Sequence, residues 1–448
     1  MQGLSTASRL RRLARDWAQP AMTFVALLLL WEASGRIFGV PIWLLPTPMD
    51  IVHALVERGS DLFLHTWITF YETIFGFLLA IALGVPLAVA VTHSRALSNT
   101  IYPLILVTQS VPKVDAVGMT LIPGLIDSHT HPAIGDYTPR LNVVGWIEHY
   151  LHGGITSMIS LGELHVPGRP HDPAGVKALA ILASKCYRNV PRGSVKVMGG
   201  TLILESGLVE DDFREMAKEG VRAVKFIQAI EDRAEAVQFS KWAKKHGMRV
   251  MIHCGGTSLP DVPTTNAAGI IEVQPDVLAH LNGGPTALSP ADIDQLMRNT
   301  GWTVDLVRFG NPKALDQICK MVVELGAHRR VILGTDSPTG NGVEPLGMLH
   351  LITHLASLTE IKAEEALCMA TGNTAKVYDL PTGLIEAGSS ADVALIDAPV
   401  GSIAKDALES FTIGDSPAVG MVMIDGLLVV KRSKNTIPPQ RNYKLTTH

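Results

Sequence analysis

Charged residues are scarce in this chain of 448 residues. Asp, Glu, Lys and Arg make up 18% of it, against about a quarter in typical soluble domains, while apolar residues make up 47%. The formal net charge is only -4, and no basic run exceeds the short cluster near Arg9. A chain without a basic patch lacks the electrostatic footprint of a nucleic-acid-binding protein. The composition therefore excludes nucleic acid as a partner and indicates that part of the chain lies in a membrane.

Cysteine is also rare. The four cysteines are far apart in the sequence and form no CxxC motif: Cys186, Cys254, Cys319 and Cys368. Such spacing excludes a disulfide framework and a cysteine-based zinc site, and it is typical of a reducing compartment. Any metal site in this chain has to be built from other residue types.

The first 113 residues differ from the rest because they contain long apolar runs and few acids. We predict membrane helices at about 20–45 and 67–91, since about 20 apolar residues cross a bilayer, and a half-length helix at 101–111. The arginines before the first span place the N-terminus in the cytoplasm, and the second span returns the chain there. The predicted location is the inner (cytoplasmic) membrane, with the catalytic domain in the cytoplasm. For the first apolar run, a cleaved signal peptide is the alternative.

Two details of this segment carry further predictions. Glu32 and Arg36 are four residues apart with the acid first, so they are expected to pair on one helix face. The motifs TFYETIFGFLLAIALGVPLAVAV and LILVTQSVPKV resemble the start of a permease subunit of nitrate/sulfonate/taurine-type ABC importers. Such permeases continue with further helices and a coupling loop that docks an ATPase, and nothing after Val114 resembles either. The resemblance implies a truncated permease over 1–113, which is not expected to transport by itself.

After about residue 114 the sequence alternates between strand, loop and helix patterns, which is typical of an α/β barrel. The apolar run 119–128 predicts a buried strand that ends in His129 and His131. Residues two apart in a strand point to the same side, so both imidazoles can bind one metal ion. An HxH motif alone is a weak signal, because two ordinary polar residues at a strand end are an equal alternative.

Further polar residues strengthen the signal. Lys225 lies inside an otherwise apolar strand, where an unpaired ammonium would be unfavourable. Three later strands end in His253, His280 and Asp336. One such residue alone is more often structural, but the carboxyl ends of barrel strands meet at one face. The recurrence of ligand-type residues at strand ends therefore predicts a metal site on that face.

The motifs IPGLIDSHTH, GTDSP and ATGNTAKVYDL resemble the amidohydrolase superfamily, and LHGGITSMIS and HLNGGPTA are most similar to enamidases, which open a cyclic enamide. The resemblance implies an α/β fold, with a (β/α)8 TIM barrel over 114–380 and a partial β-sandwich over 381–448. It also implies metal-dependent hydrolysis of a C–N bond, in a cyclic amide or enamide, by a metal-activated hydroxide. Alternatives from other classes are a membrane permease component of an ABC importer and an inactive fusion of the two parts.

The resemblance implies two divalent metal ions, Zn²⁺ or Fe²⁺ or both. The implied ligands are His129, His131 and Asp336 for the first ion and His253 and His280 for the second. Lys225, carboxylated by CO₂, would bridge the two ions. The enamidase pattern has a bridging glutamate on this strand, and this chain has Phe226 near that place. Asp336 would be the catalytic base, which takes the proton of the attacking water and passes it to the leaving nitrogen.

Loops that follow the barrel strands are expected to contact the substrate. The candidates are His165, Arg169, Thr257, Asn282, Arg308 and Asn311. Taken singly, each is more often a solvated loop residue, but an arginine among them can bind a substrate carboxylate. A homo-oligomer is also expected. Because permease sequence stands where related proteins have the N-terminal strands of the sandwich, the part from 383 to 431 is expected to lack partner strands.

Overall fold

The structure is a computed structural model that describes residues 6–38, 45–93, 113–132, 134, 145–162, 168–188, 190–227, 232–256, 265–284, 286–338 and 342–446. The chain divides into two compact units, Met1–Gln109 and Ser110–His448.

The described residues of the N-terminal unit form helices over Thr6–Ile37, Pro48–Glu57 and Gly59–His93. Thr47 caps the second helix: its hydroxyl accepts a hydrogen bond from the amide of Asp50 at 3.3 Å, and the Asp50 carboxylate accepts one from the Thr47 amide at 3.0 Å. Arg36 Nε lies 2.6 Å from Glu32 Oε1, which confirms the predicted pair. The other Glu32 oxygen accepts a hydrogen bond from the Met49 amide at 2.9 Å, so this carboxylate connects the first two helices.

Within the described residues, the helical segment Gly59–Pro86 is long and apolar enough to cross a membrane, and none of its apolar window is buried. It contains most of the second predicted span. The first predicted span lies partly on helix Thr6–Ile37, which carries Glu32 and Arg36 and does not qualify as a span over its described residues. Residues 39–44 and the half-helix predicted at 101–111 lie outside the described residues.

The second unit contains fifteen described strands, numbered here in chain order. They are β1 (Lys113–Asp115), β2 (Thr120–Pro123), β3 (Leu125–Thr130), β4 (Ile155–Ser160), β5 (Lys196–Met198), β6 (Leu202–Ile203), β7 (Ala223–Phe226), β8 (Arg249–His253), β9 (Val277–Ala279), β10 (Thr303–Val307), β11 (Val331–Gly334), β12 (Val393–Asp397), β13 (Ala418–Ile424), β14 (Leu427–Val430) and β15 (Lys444–Thr446).

Strands β3 to β11 form a closed parallel barrel. Hydrogen bonds join them in the orders β3-β4-β5 and β6-β7-β8-β9-β10-β11. A parallel bridge between Thr130 and Ser337 joins the end of β3 to the segment after β11. Because β5 and β6 are two halves of one strand, interrupted at 199–201, these nine segments occupy eight barrel positions. The predicted (β/α)8 barrel is confirmed.

A helix follows each barrel strand: Ile147–Tyr150, Pro173–Cys186, Glu210–Glu219, Arg233–Lys245, Ala267–Val273, Pro290–Asn299, Pro312–Glu324 and Gly347–Leu358. Three of them begin with proline directly after an N-cap side chain, from Asp172, Ser289 and Asn311. Proline at the first helical position loses no hydrogen bond, and the cap oxygen accepts one from an otherwise unpaired amide. The helices Ala363–Cys368 and Thr374–Val377, joined by a π-helical turn over Met369–Asn373, and the helix Ala407–Ile413 complete the unit.

The barrel interior holds a small apolar cluster that includes Ile126, Ile159, Met251, Val277 and Ile332, all fully buried. A larger apolar core packs the strands against the surrounding helices. Each of these apolar residues comes a few positions before the polar residues at the C-terminal end of its strand. The apolar cluster therefore fills the barrel below the predicted site and leaves the polar side chains together at its C-terminal face.

The sequence pattern predicts one strand over 119–128 and a sandwich without a partner strand, and both predictions are wrong. The run is divided at Gly124, where a Cβ atom would come within 2.1 Å of Thr156 Oγ1. Before this glycine, β2 pairs antiparallel with β12 and completes the sheet β14-β13-β12-β2. After it, β3 enters the barrel. The small sheet therefore takes a strand from residues 120–123, which precede the barrel in the sequence. The predicted domain boundary between 380 and 381 separates this strand from the rest of its sheet. Strand β1 pairs separately with β15.

Candidate metal centre

The six residues predicted as metal ligands converge at the C-terminal face of the barrel. All are buried: His129, His131, Lys225, His253, His280 and Asp336. His131 Nε2 lies 3.0 Å from Asp336 Oδ1, and His129 Nε2 lies 3.4 Å from the same oxygen. Lys225 Nζ lies 3.3 Å from His129 Nε2. The rings of His253 and His280 are 4.3 Å apart, centre to centre.

The donor atoms of this cluster fit divalent metal ions. Ligand atoms of His129, His280 and Asp336 all lie within 4.8 Å of one another. His253 Nε2 is 3.0 Å from the carbonyl of Gly256, so Nε2 carries the proton and Nδ1 keeps its lone pair. Nδ1 of His253 and Nδ1 of His280 are buried and have no hydrogen-bond partner among the described residues. Buried nitrogens without a partner are rare, and coordination to a metal ion would satisfy both.

Asp305 belongs to this site although our sequence reasoning missed it. It lies in the middle of β10, fully buried, with Oδ2 at 2.6 Å from His129 Nδ1. The same oxygen accepts a hydrogen bond from the His280 amide at 2.9 Å, and Oδ1 accepts one from the Ser128 hydroxyl at 2.6 Å. The carboxylate thus holds the proton of His129 on Nδ1 and leaves Nε2 free to bind a metal. Asp305 is a charged residue inside the apolar run TVDLV. Lys225 was identified because it is a charged residue inside an apolar strand, and the same criterion would have identified Asp305.

A second buried carboxylate fixes the segment that carries Asp336. Asp127 accepts hydrogen bonds from the Thr335 amide at 2.8 Å and from the Thr335 hydroxyl at 2.7 Å. The Asp336 amide donates to the His129 carbonyl at 2.9 Å. Asp336 and His280 both have positive φ angles, 62° and 38°, a region that non-glycine residues rarely occupy. Tertiary contacts hold these two backbone conformations, as is common at functional sites.

Burial controls the protonation of the cluster. It lowers the pKa of Lys225 to about 8. Burial and the nearby lysine lower the pKa of His253 to about 4 and that of His129 well below its usual range. Burial and the neighbouring His253 do the same to the pKa of His280. Burial alone would raise the pKa of Asp336, but the surrounding nitrogens lower it well below its usual range. The histidines are therefore neutral and Asp336 is ionised at pH 7, the forms that bind metal ions.

Lys225 is the residue that β7 presents to the centre. Its neighbour Phe226 is buried in the apolar core between strands and helices, so it points away from the barrel interior. No bridging side chain can therefore come from position 226. The place on this strand that faces His129 is occupied by the amine of Lys225.

The predicted substrate contacts have different outcomes. His165 and Thr257 lie outside the described residues. Arg169 is buried and forms an ion pair with Glu205, which also lies 3.2 Å from His171 Nδ1. Glu205 lies two residues after the end of β6, and the sequence reasoning missed it. Arg169 and Glu205 together form a buried polar pair at the C-terminal end of this strand.

Asn282 and Asn311, two of the predicted substrate contacts, form hydrogen bonds within the protein. The buried Asn282 amide donates to the Val307 carbonyl and accepts from the Val307 amide, both at 2.9 Å. Asn311 caps its helix by accepting hydrogen bonds from the Lys313 and Ala314 amides. The Asn282 side chain fixes the C-terminal end of β10, and the Asn311 side chain fixes the start of the helix that follows. Sequence spacing shows that these residues follow strands, but not what their side chains contact.

Arg308 remains available at this face. Its side chain is partly exposed, and Nε lies 3.6 Å from Glu344 Oε1. Glu344 Oε1 also lies 2.7 Å from His350 Nδ1. The amide of Glu344 donates to the hydroxyl of Tyr150 at 3.1 Å, and this hydroxyl contacts Ser337, the neighbour of Asp336. Tyr150 thus connects the segment of Ser337 to the segment of Glu344 at the mouth of the barrel. No pattern in the sequence predicts this contact.

Comparison with known proteins agrees with the division into two parts. The formylaminopyrimidine transport permease protein of Halalkalibacterium halodurans is 31% identical over 97 residues, which are 21% of this chain and 38% of that protein. The chain therefore spans less than half the length of this permease. This partial similarity is consistent with the permease-like character predicted for the N-terminal part.

The remainder matches hydrolases. An enamidase from Eubacterium barkeri is 46% identical over 334 residues, which are 74% of this chain and 86% of that protein. The crystal structure of an enamidase superposes with a TM-score of 0.73 at 45% identity and covers 76% of this chain and 90% of that chain. Residues 120–429 match the sequence pattern of the amidohydrolase family. The predicted fold and superfamily are thus confirmed, and the chain belongs to the amidohydrolase family.

Proposed function

We propose that this protein hydrolyses the C–N bond of a cyclic amide at a centre for two divalent metal ions. The observation that carries this proposal is the convergence of six ligand-type side chains, two of which present buried Nδ1 atoms without a hydrogen-bond partner among the residues that the structure describes. We assign His129, His131 and Asp336 to one ion and His253 and His280 to the other. Zn²⁺ and Fe²⁺ are the candidate metals, because imidazole and carboxylate ligands suit both.

Bound divalent ions would lower the pKa of a water and polarise the substrate carbonyl. The residues of the chain provide the proton transfers. Asp336 is ionised and its side chain is 12% exposed, so it can accept a proton from the attacking water. The contact from His131 Nε2 at 3.0 Å orients the carboxylate. Asp336 then donates this proton to the leaving nitrogen, which leaves as a neutral amine.

Lys225 is proposed as the bridge between the ions, in its carboxylated form. Burial lowers its pKa to about 8, so more of the side chain is a neutral amine than for an exposed lysine. The neutral nitrogen can attack CO₂, forming an N–C bond and releasing one proton, and the product is an N-carboxylate. This reaction converts a buried cation into an anion, which neighbouring metal ions stabilise.

For the substrate we propose a cyclic amide or enamide that carries a carboxylate. The similarity to enamidase supports the reacting bond, and Arg308 is our candidate for the carboxylate contact because a guanidinium binds carboxylates bidentately. His165 and Thr257 remain predicted substrate contacts, and Arg169 is proposed to act through Glu205. Hydrolysis of an enamide yields an enamine, which tautomerises to an imine and loses ammonia in water. A saturated lactam would instead give an amino acid without ammonia.

Metal content and hydrolysis, measured on the same preparations, test the proposal. We expect about two metal ions per chain and ammonium release from a cyclic enamide. Asp336→Asn and Lys225→Ala should each lose activity, and Lys225→Ala should also lose metal. Asp211→Asn and Lys218→Ala, at exposed sites, serve as matched controls. Activity that persists after complete removal of metal by a chelator would contradict the proposal.

We further propose that the N-terminal part attaches the enzyme to the inner membrane through the helix Gly59–Pro86. The exposure of this apolar helix supports the proposal, as does the similarity to permeases. A permease component of an importer is the second candidate function, and co-purification of an ATPase with the full chain would favour it. A homo-oligomer remains our expectation, and the mass of the detergent-solubilised chain in solution tests it.

A further inference from the structure

A cavity in the barrel wall, near the N-terminal ends of β5 and β7, is lined by none of the proposed metal ligands. Its volume is about 370 Å³, within the usual range of small-molecule sites. It lies where the barrel strand β5–β6 is interrupted: β5 pairs with β4, β6 pairs with β7, and β5 has no pairing with β7. A Cβ atom on Gly200, at the interruption, would be 2.5 Å from the Ala180 carbonyl, so the approaching helix requires glycine there.

The charged residues that line this cavity are all basic: Arg188, Lys196 and Arg222. Lys196 is neutralised, because its Nζ lies 2.8 Å from Asp392 and 2.6 Å from Asp425. Arg222 is exposed and has no ion-pair partner among the described residues. Arg188 donates one hydrogen bond, to the Glu219 carbonyl at 2.6 Å, and keeps its remaining donors. Two guanidinium groups at this cavity are therefore available to an anion.

The cavity wall also contains two hydroxyl groups without partners. Ser157 is 3% exposed and Thr382 is 4% exposed. Within the part of the chain that the structure describes, neither hydroxyl oxygen has a hydrogen-bond partner. A buried hydroxyl without a partner is unfavourable, and a bound water or ligand in the cavity would satisfy such a group. Met198 and Leu380, which pack against the apolar cluster of the barrel interior, provide a partly exposed apolar surface at this cavity.

We propose that this cavity is a binding site for a small organic acid, separate from the metal centre. The carboxylate is held by Arg188 and Arg222, and the apolar body of the acid packs against Met198 and Leu380. A planar guanidinium pairs with a carboxylate through two parallel hydrogen bonds, and the apolar wall favours an organic acid over inorganic phosphate. Active sites of these barrels lie at the opposite, C-terminal face, so the acid acts on stability or regulation instead of as a substrate.

Calorimetric titration of the full chain in detergent with benzoate tests this site. We expect saturable binding of one benzoate per chain, no binding of the neutral isostere benzamide, and weaker binding of inorganic phosphate. Arg222→Gln and Arg188→Gln should each weaken benzoate binding at least tenfold, which corresponds to about 1.4 kcal/mol. Arg192→Gln is the matched control, because Arg192 is exposed and does not line the cavity. Chelation of metal ions should leave the affinity unchanged.

Ser157→Ala provides a second variant that does not disturb folding, since the Ser157 hydroxyl has no partner in the described protein to lose. We expect it to weaken benzoate binding several-fold while the thermal stability of the free protein is retained. Three results would overturn the proposal: no saturable binding, equal affinity in the wild type and Arg222→Gln, or binding that disappears with the metal. Tighter binding of phosphate than of benzoate would overturn the choice of an organic acid.

Discussion

The carboxylate of Asp305 lies 2.6 Å from Nδ1 of His129, and both side chains are completely buried. This contact fixes the imidazole tautomer and directs Nε2 toward Asp336 and Lys225. The carboxylate also accepts hydrogen bonds from Ser128 and from the His280 amide, so it orients two proposed metal ligands at once. Asp305 is therefore a positioning residue of the centre.

Asp305→Asn should weaken metal binding by about 10–100-fold, because a neutral amide oxygen holds the His129 imidazole and its Nδ1 proton less strongly than a carboxylate does. A competition titration with a chromogenic chelator measures this affinity. Asp211→Asn, at an exposed position, is the control for loss of one carboxylate. Equal affinity in Asp305→Asn and the wild type would contradict the role assigned to Asp305.

Lys225→Met should stabilise the metal-free protein. Burial lowers the pKa of Lys225 from 10.5 to about 8, and at about 1.4 kcal/mol per unit its ammonium costs the folded state about 3 kcal/mol at pH 7. Between pH 8 and 10.5 the unfolded chain binds more protons than the folded chain, so the wild type should gain stability as pH rises. The methionine variant should lack this gain.

Chemical denaturation of the chelator-treated chain at several pH values measures the effect of Lys225→Met. Lys218→Met, on an exposed helix surface, is the matched control and should behave like the wild type. If the stability of Lys225→Met had the same pH dependence as that of the wild type, the buried Lys225 amine would not be the group that destabilises the folded state.

Asn282→Ala should destabilise the folded protein by about 2–4 kcal/mol, because both polar groups of the Val307 backbone would lose their buried partner. The KM for a cyclic amide should stay close to the wild-type value, since the side-chain amide is already bonded to the Val307 backbone. Asn299→Ala, at an exposed helix end, is the control. A large rise in KM without loss of stability would restore Asn282 as a substrate ligand.

Tyr150→Phe should lower kcat/KM about tenfold, because the hydroxyl that connects Ser337 to the Glu344 amide would be lost. Metal content should be unchanged, since the hydrogen bonds of the Tyr150 hydroxyl within the described residues go to Ser337 and Glu344, which are not proposed ligands. Tyr443→Phe removes a hydroxyl that contacts the Lys431 carbonyl elsewhere in the unit and serves as the control. Loss of metal together with activity would show that Tyr150 supports the ligand cluster itself.

Removal of residues 1–109 should release the protein from the membrane fraction while metal content is retained, because 110–448 is a compact unit that contains every proposed ligand. Cell fractionation followed by elemental analysis checks both statements. Replacement of Leu79 and Leu83, exposed on the apolar helix, by glutamate should have the same effect on fractionation in the full chain. Membrane association that survives both changes would exclude this helix as the anchor.

The sequence by itself determined the barrel and the convergence of the candidate ligands at one face. Strand and helix periodicity depends on local spacing, and each of His129, His253 and Asp336 is placed at the end of an apolar strand by its own neighbours in the sequence. Parallel barrel strands bring their carboxyl ends to one face whatever the loops are, so the convergence of these residues follows from the repeated pattern. The pair of Glu32 and Arg36 was predictable for the same reason, since both lie on one helix.

Tertiary structure alone decided which polar side chains form hydrogen bonds within the protein. Asn282 and Val307, and Asp305 and His129, are far apart in the sequence, so no local pattern shows that they form hydrogen bonds. The division of the run 119–128 at Gly124 likewise depends on Thr156, which approaches from the next barrel strand. Local spacing determines which side of a strand a residue faces, whereas its partner is chosen by the packing of distant segments.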